Sequence, residues 1–286
     1  EDPAFLERAA ACFRKAIEGN ETFYEAYKEL SEVLINLKQY EKVMRLLEKS
    51  IERFPGQDDL WLALIDCYFK TDRNDQVETV LKNNPSLKTA NPDICLSLST
   101  IYLSNGQLDE AEILLSETLQ EFPHQPFTTY LQLAAVYLKQ RLPKKVEAVL
   151  QAGFDVHPLN WERLTETVNL LIRYNRSSQA ISLLTKYMED NASEKTRALY
   201  EIGLIYLHYN RHKPARDHFL KVLELDPASL EAKFNLALIH SYSYEYQKAI
   251  RLWEEVEKAA PDSHPGKVAR QNITILKKEM ESRHGR

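Results

Sequence analysis

Three histidines come nearest to a metal-ligand spacing in this chain: His208 and His212 stand four residues apart, with His218 beyond. Two histidines at i and i+4 share a metal ion only if one continuous helix holds them on the same side. Pro214 and the polar stretch from Asn210 to Lys213 interrupt any such helix, so these histidines are expected as solvated turn residues. Cys12, Cys67 and Cys95 are odd in number and lack C-x-x-C spacing, which indicates neither a disulfide framework nor a zinc site. All three fall in apolar helical pattern and are expected as buried free thiols. The 42 acidic residues lie along helices at spacings typical of exposed faces, with no carboxylate pair set in an apolar stretch. Phosphate-binding loops, the nucleophile elbow and H-E-x-x-H are absent, and only seven glycines are available to build glycine-rich loops. No cofactor is called for. Catalysis would need a site assembled wholly by tertiary proximity, and the chain is expected not to be an enzyme.

The elements that carry these residues are helical. Low glycine content with 44% apolar and 28% charged residues favours helix over disorder. Around the histidines, Thr196 to Pro227 divides into two amphipathic patterns, one through Leu199, Ile202, Gly203 and Tyr206, the other through Ala215, Phe219 and Val222. Pro214 fits the first position of the second helix, and Pro227 ends it. Such a hairpin leaves an apolar face uncovered and demands neighbours of its own kind. The neighbours are present. Units start at Tyr24, Asp58, Pro92, Phe127, Trp161, Thr196 and Leu230, at intervals of 34, 34, 35, 34, 35 and 34. Each second helix opens on Val43, Val77, Ala111, Val146, Ala180, Ala215 or Ala249, followed four residues on by Leu47, Leu81, Leu115, Leu150, Leu184, Phe219 or Trp253. First helices carry Leu30, Leu64, Leu98, Leu133, Thr167, Ile202 and Leu236, then Leu34, Tyr68, Tyr102, Tyr137, Leu171, Tyr206 and His240.

This pattern resembles the tetratricopeptide repeat, with Pro55, Pro123, Pro158, Pro227 and Pro261 in the closing-proline place and Trp61, Tyr27 and Tyr130 in that of the early aromatic. The resemblance runs from about residue 7 to residue 261. It implies an all-α fold, a right-handed α-solenoid of about seven helix-turn-helix units. The chain is expected as one domain over 1–286: an N-terminal helix or half repeat at 1–20, seven repeats over 24–263 and a capping helix over 264–286. Asp2-Pro3 reads as an N-cap followed by the first turn of a helix through Ala9, Phe13 and Ala16, which matches only the second half of a unit. That helix is either a lone cap or the remainder of a longer array. At the other end Val268, Ile273, Leu276 and Met280 predict an apolar face turned to the last hairpin. Two units depart from the pattern. Unit five has Thr167 for leucine and Ala192 for the closing proline, and in unit two the second helix is predicted to stop at Asn83-Asn84-Pro85, leaving a loop before Pro92.

In proteins of the family that it resembles, first helices line a groove with the second, fifth, ninth and twelfth residues of each unit. Carried over, this implies an apolar floor of Leu62, Phe69, Leu96, Leu103, Leu131, Ala135, Leu138, Ile172, Tyr200, Leu204, Leu207, Phe234 and Leu238. An acidic rim of Glu25, Glu32, Asp59, Asp66 and Asp93 falls at second and ninth positions of the first three units. Some floor residues are equally well read as half-buried packing between helices. The implied function is a protein–protein interaction scaffold whose partner is a peptide or a helical segment. Residues 1–130 carry a net charge of −10 and residues 131–286 a net of +5, so the acidic end suits a basic segment, or two copies could pair with opposite ends together as a homodimer. Single-stranded RNA binding is the alternative, disfavoured by the net charge of −5 and by the place of Lys139, Arg141, Lys144 and Lys145 in an inter-helix turn. The clamp by which related repeats hold a chaperone's terminal carboxylate is not met: Lys28 stands at its fifth place, yet Glu32, Asp59, Asp93 and Ser97 occupy the other sites. No apolar run reaches the length of about 18 residues that a membrane span needs. The opening EDPAFLERAA lacks the pattern of a signal peptide, although a removed leader would leave no trace. Nothing in these residues is an address, so the compartment stays open, with the cytoplasm ahead of the periplasm.

Overall fold

The computed structural model describes residues 2–87 and 92–284, and every described regular element is helical. Asp2 caps the first helix, α1 (Pro3–Gly19), through a hydrogen bond of 3.0 Å from the Ala4 amide, with Pro3 in the first turn as the sequence predicts. The described residues fall into two compact units, Glu1–Pro158 and Leu159–Arg286. In the first, α1 is followed by four hairpins: α2 (Tyr24–Asn36) with α3 (Tyr40–Arg53), α4 (Asp58–Lys70) with α5 (Asn74–Asn83), α6 (Pro92–Asn105) with α7 (Leu108–Glu121), and α8 (Phe127–Lys139) with α9 (Pro143–Val156). The second holds three: α10 (Trp161–Arg173) with α11 (Ser177–Asp190), α12 (Lys195–His208) with α13 (His212–Leu225), and α14 (Leu230–Tyr242) with α15 (Tyr246–Ala259). The long α16 (His264–His284) follows them. Within each unit a helix packs on its sequence neighbour, α5 and α6 excepted, and α2 on α4, α6 on α8 and α14 on α16 also touch. That is the contact pattern of stacked hairpins in an all-α solenoid.

The repeat positions read from the sequence are the packing positions. Each residue that opens a second helix, from Val43 to Ala249, is buried, and so is each residue four places on, from Leu47 to Trp253. The first-helix series from Leu30 to Leu236 is buried throughout. Thr167 is buried in the place of a leucine and stays satisfied because its hydroxyl donates to the Arg163 carbonyl at 2.8 Å. Gly203 lies where an added Cβ would come within 2.7 Å of the buried Phe219 ring, which explains the need for the smallest residue there.

The turns inside the hairpins repeat as strictly as the core. Lys38, Asp72, Gly106, Arg141, Asn175, Asn210 and Tyr244 all have positive φ, between 55° and 78°, and they recur at the same alternation of 34 and 35 residues. After each of them, an amide donates to a carbonyl five residues back: Gln39 to Leu34, Arg73 to Tyr68, Gln107 to Tyr102, Leu142 to Tyr137, Arg176 to Leu171, Arg211 to Tyr206 and Glu245 to His240, at 2.7–2.9 Å. This left-handed C-terminal cap closes each first helix and sets the direction of the second. Only the third hairpin uses glycine at that position.

Several expectations need correction. Helix α13 begins at His212, so Pro214 is its third residue; its missing N–H still falls among the donors that a helix start leaves unpaired. Cys67 and Cys95 are buried, whereas Cys12 is exposed, because it lies two residues from Ala10 and so on the far side of α1 from Leu6 and Ala10. Helix α5 does stop at Asn83, one turn short of the fourteen-residue α3 and α7. Ser86 and Leu87 then resume helical geometry, and the rest of the expected loop, residues 88–91, lies outside the described residues. Where Ala192 replaces a closing proline, a 3-10 turn over Ala192–Glu194 leads straight into α12. In the last helix Ile273 and Leu276 are buried with Tyr246, Ile250, Trp253 and Val256, Met280 packs at the edge of the same cluster, and Ala269 is buried where the sequence reading placed Val268, which is half-buried.

Candidate partner-binding face

First helices carry a recurring row of half-buried apolar side chains, while second helices expose Ile113, Leu220 and Leu225 singly. In the first unit Leu62, Phe69, Leu96, Leu103 and Leu131 are half-buried. Ala135 and Leu138 are not part of an open floor: both are buried, since α8 encloses nine of its thirteen residues. Helix α8 is also tied to α6. The Gln132 amide donates to the Leu96 carbonyl at 3.1 Å and to the Thr100 hydroxyl, and Lys139 Nζ donates to the Leu103 carbonyl at 2.6 Å. In the second unit Ile172, Tyr200, Leu204, Leu207, Phe234 and Leu238 are half-buried. Tyr200, Leu204 and Leu207 rest on the cluster around Leu199 and Phe219. Phe234 and Leu238 rest on the cluster around Trp253. Each of these side chains therefore contributes to packing and still presents a flank to solvent.

Polar groups interrupt the two apolar stretches. Asn235 Nδ2 donates to the Tyr200 hydroxyl at 3.0 Å. The Arg197 guanidinium lies 4.1 Å from the centre of the Trp161 ring and 3.8 Å from Glu194. Beside it Glu201 is half-buried, and its carboxyl pKa is raised by burial, an effect that Arg197 opposes. Glu201 and Asn235 occupy the sixth places of their units, which the groove rule of second, fifth, ninth and twelfth residues does not include; their polar type on an otherwise apolar helix face was the available signal.

The acidic rim is uneven. Glu25, Glu32 and Asp93 are exposed, and Asp66 is half-buried. Asp59 is engaged within the fold: the Tyr24 hydroxyl donates to it and Lys28 Nζ stands 3.6 Å away. Burial and this carboxylate together raise the Tyr24 phenol far above its ordinary value. The histidines do not converge. His208 packs edge-on against Tyr209, whereas the His212 ring lies tilted on Tyr242 and the His218 ring tilted on Tyr206. His218 lies within α13, its Nδ1 2.8 Å from the Pro214 carbonyl, and is not a turn residue as the sequence suggested. Among the described residues no group of three His, Cys, Asp or Glu could hold a metal ion. No described helix is long and apolar enough to cross a membrane.

Residues 23–67 and 196–229 each match a family model described as a tetratricopeptide repeat. The chain carries tetratricopeptide repeats in both stretches. The second match coincides with α12 and α13, the hairpin that serves as the measure of the others. Among curated relatives, the Photosystem I assembly protein Ycf3 of Synechococcus elongatus is 25% identical over 91 residues, 27% of this chain and 53% of Ycf3. Human Protein O-mannosyl-transferase TMTC3 is 22% identical over 270 residues, 90% of this chain and 28% of that protein. The chain thus spans about half the length of the Ycf3 proteins that it matches and a smaller share of TMTC3. Among solved structures, yeast Tom70 aligns over 98% of this chain and 60% of its own, at 16% identity and a TM-score of 0.44. YrrB, described as a TPR protein with an unusual peptide-binding site, aligns over 68% of this chain and 97% of its own, at 17% identity and a TM-score of 0.39.

Proposed function

We propose that this tetratricopeptide repeat protein is a non-catalytic interaction scaffold whose first-helix face holds an extended or helical segment of a partner protein. The observation that carries this reading is the recurrence of half-buried apolar side chains at fixed places of successive first helices, Leu62, Leu96 and Leu131 at the fifth place of three consecutive units in particular. A repeated apolar row with a polar margin fits the alternating side chains of a bound segment. The description of Ycf3 as an assembly protein supports a role in bringing proteins together. Exposed Glu25, Glu32 and Asp93 favour a segment with basic residues near one end, and the chain's net charge of −5 argues against a phosphate backbone in the same place.

The test is the pair Leu96→Asp and Leu131→Asp, used beside wild type to capture a partner that is then identified and bound in purified form. Capture is expected to vanish while cooperative melting persists. The milder Leu96→Gln and Leu131→Gln should weaken binding of the purified partner in the same order. Loss of melting in both series, or unchanged capture by folded variants, would show these leucines to be packing residues only.

A further inference from the structure

The shortened helix α5 leaves a second place for a partner, away from the first-helix face. A slot of about 420 Å³ lies against its end and against α7, within the range of roughly 300–1,000 Å³ typical of pockets that hold ligands. Its floor is apolar, built from Leu81, Pro85, Leu114 and the ring of Tyr102. Its wall includes Ile113, 55% exposed although it is a large aliphatic residue in a helix centre. Helices α3 and α7 run fourteen residues where α5 runs ten, and the slot borders the place where α5 stops, with Pro85 in its lining. Around the rim stand Glu78, Glu110, Glu117 and Glu121, with Lys82 as the one base among the described lining residues. The Tyr102 hydroxyl donates to Glu78 at 2.7 Å, which fixes that carboxylate at the edge of the floor.

We infer that this slot docks an amphipathic helical segment of another protein, one with aliphatic residues on one face flanked by lysine or arginine. The apolar floor and Ile113 supply the hydrophobic seat. The rim selects the sign of charge beside it, since carboxylates outnumber the Lys82 ammonium among the described lining residues, which disfavours an acidic segment and steers a basic one. The excess of acid over base in residues 1–130 extends the same field around the slot.

The experiment uses a fluorescent lysine–leucine amphipathic helix peptide, with a glutamate–leucine peptide of the same pattern as control, and reads anisotropy on the whole chain. The lysine peptide should bind and the glutamate peptide should not. Glu110→Gln with Glu121→Gln should weaken binding by about tenfold, and Ile113→Gln at least as much, at unchanged melting because all three side chains are exposed. Glu25→Gln with Glu32→Gln removes the same charge from the first-helix face. Equal losses in the two glutamine pairs would mean diffuse attraction and overturn the slot. Loss only in the Glu25/Glu32 pair would place the peptide on the first-helix face, sinking this inference while supporting the preceding one. A dimer in light scattering that Ile113→Gln dissolves would assign the slot to a second copy instead.

Discussion

If the seven left-handed turns are strained wherever a side chain stands in them, replacing an exposed one by glycine should stabilise the protein. Arg141 and Lys38 are the cleanest cases, with φ of 61° and 56° and exposed side chains. A left-handed backbone costs an ordinary L-residue roughly 1–2 kcal/mol. Glycine removes that cost and adds about 0.5–1 kcal/mol of unfolded-chain entropy, so each substitution should gain close to ~1 kcal/mol. The two positions sit in separate hairpins of one compact unit, so Lys38→Gly with Arg141→Gly should gain about twice as much. Gly106, at φ 78°, supplies the converse: Gly106→Ala should lose about 1 kcal/mol although nothing within 4 Å would meet the new Cβ. Asn210 supplies the control. Asparagine tolerates this conformation, so Asn210→Gly should shift stability by only a few tenths of a kcal/mol. Urea unfolding followed by far-ultraviolet circular dichroism would read all five proteins. A neutral Gly106→Ala, or an Arg141→Gly that lowers the midpoint, would refute the assignment of strain to these turns.

Two further outcomes follow from burial. Glu201→Gln should stabilise the second unit at neutral pH, because the folded state raises this carboxyl and so prefers it protonated. Native Glu201 binds more protons than unfolded Glu201 above the ordinary carboxylate range, stability falls as pH rises through that window, and the advantage of glutamine should disappear once pH drops below it; melts across pH 4–8 would check the trend. A thiol reagent should label Cys12 alone in the native protein and all three cysteines after denaturation, since burial shields Cys95 and pushes the Cys67 thiol up to about 12. Rapid native labelling of more than one thiol, counted by mass, would contradict that burial.

The repeat was legible because packing is a local demand renewed every 34 or 35 residues: Val43, Val77 and Ala111 sit in equivalent surroundings, so the same kind of residue returns. The turns were legible only as polar stretches. Their left-handed residue is a lysine, an aspartate, an arginine, an asparagine or a tyrosine more often than a glycine, and the backbone conformation is imposed by the amide-to-carbonyl bond that closes each first helix, which residue type does not announce. The candidate face was half legible. Periodicity gives the direction in which Leu131, Ala135 and Leu138 leave their helix, yet whether that side is open depends on how much of α8 its surroundings enclose, and two of the three turned out buried. Asp59 shows the same gap: it reads as a rim acid until the hairpins are brought into register and Tyr24, 35 residues earlier, reaches it. The slot beside α5 joins both kinds of information. The stop at Asn83-Asn84-Pro85 is written locally, whereas its consequence is not, because Ile113, Glu110, Glu117 and Glu121 beside it come from the next hairpin. Specificity in such an array therefore concentrates where a local departure from the repeat meets side chains that the repeat does not constrain.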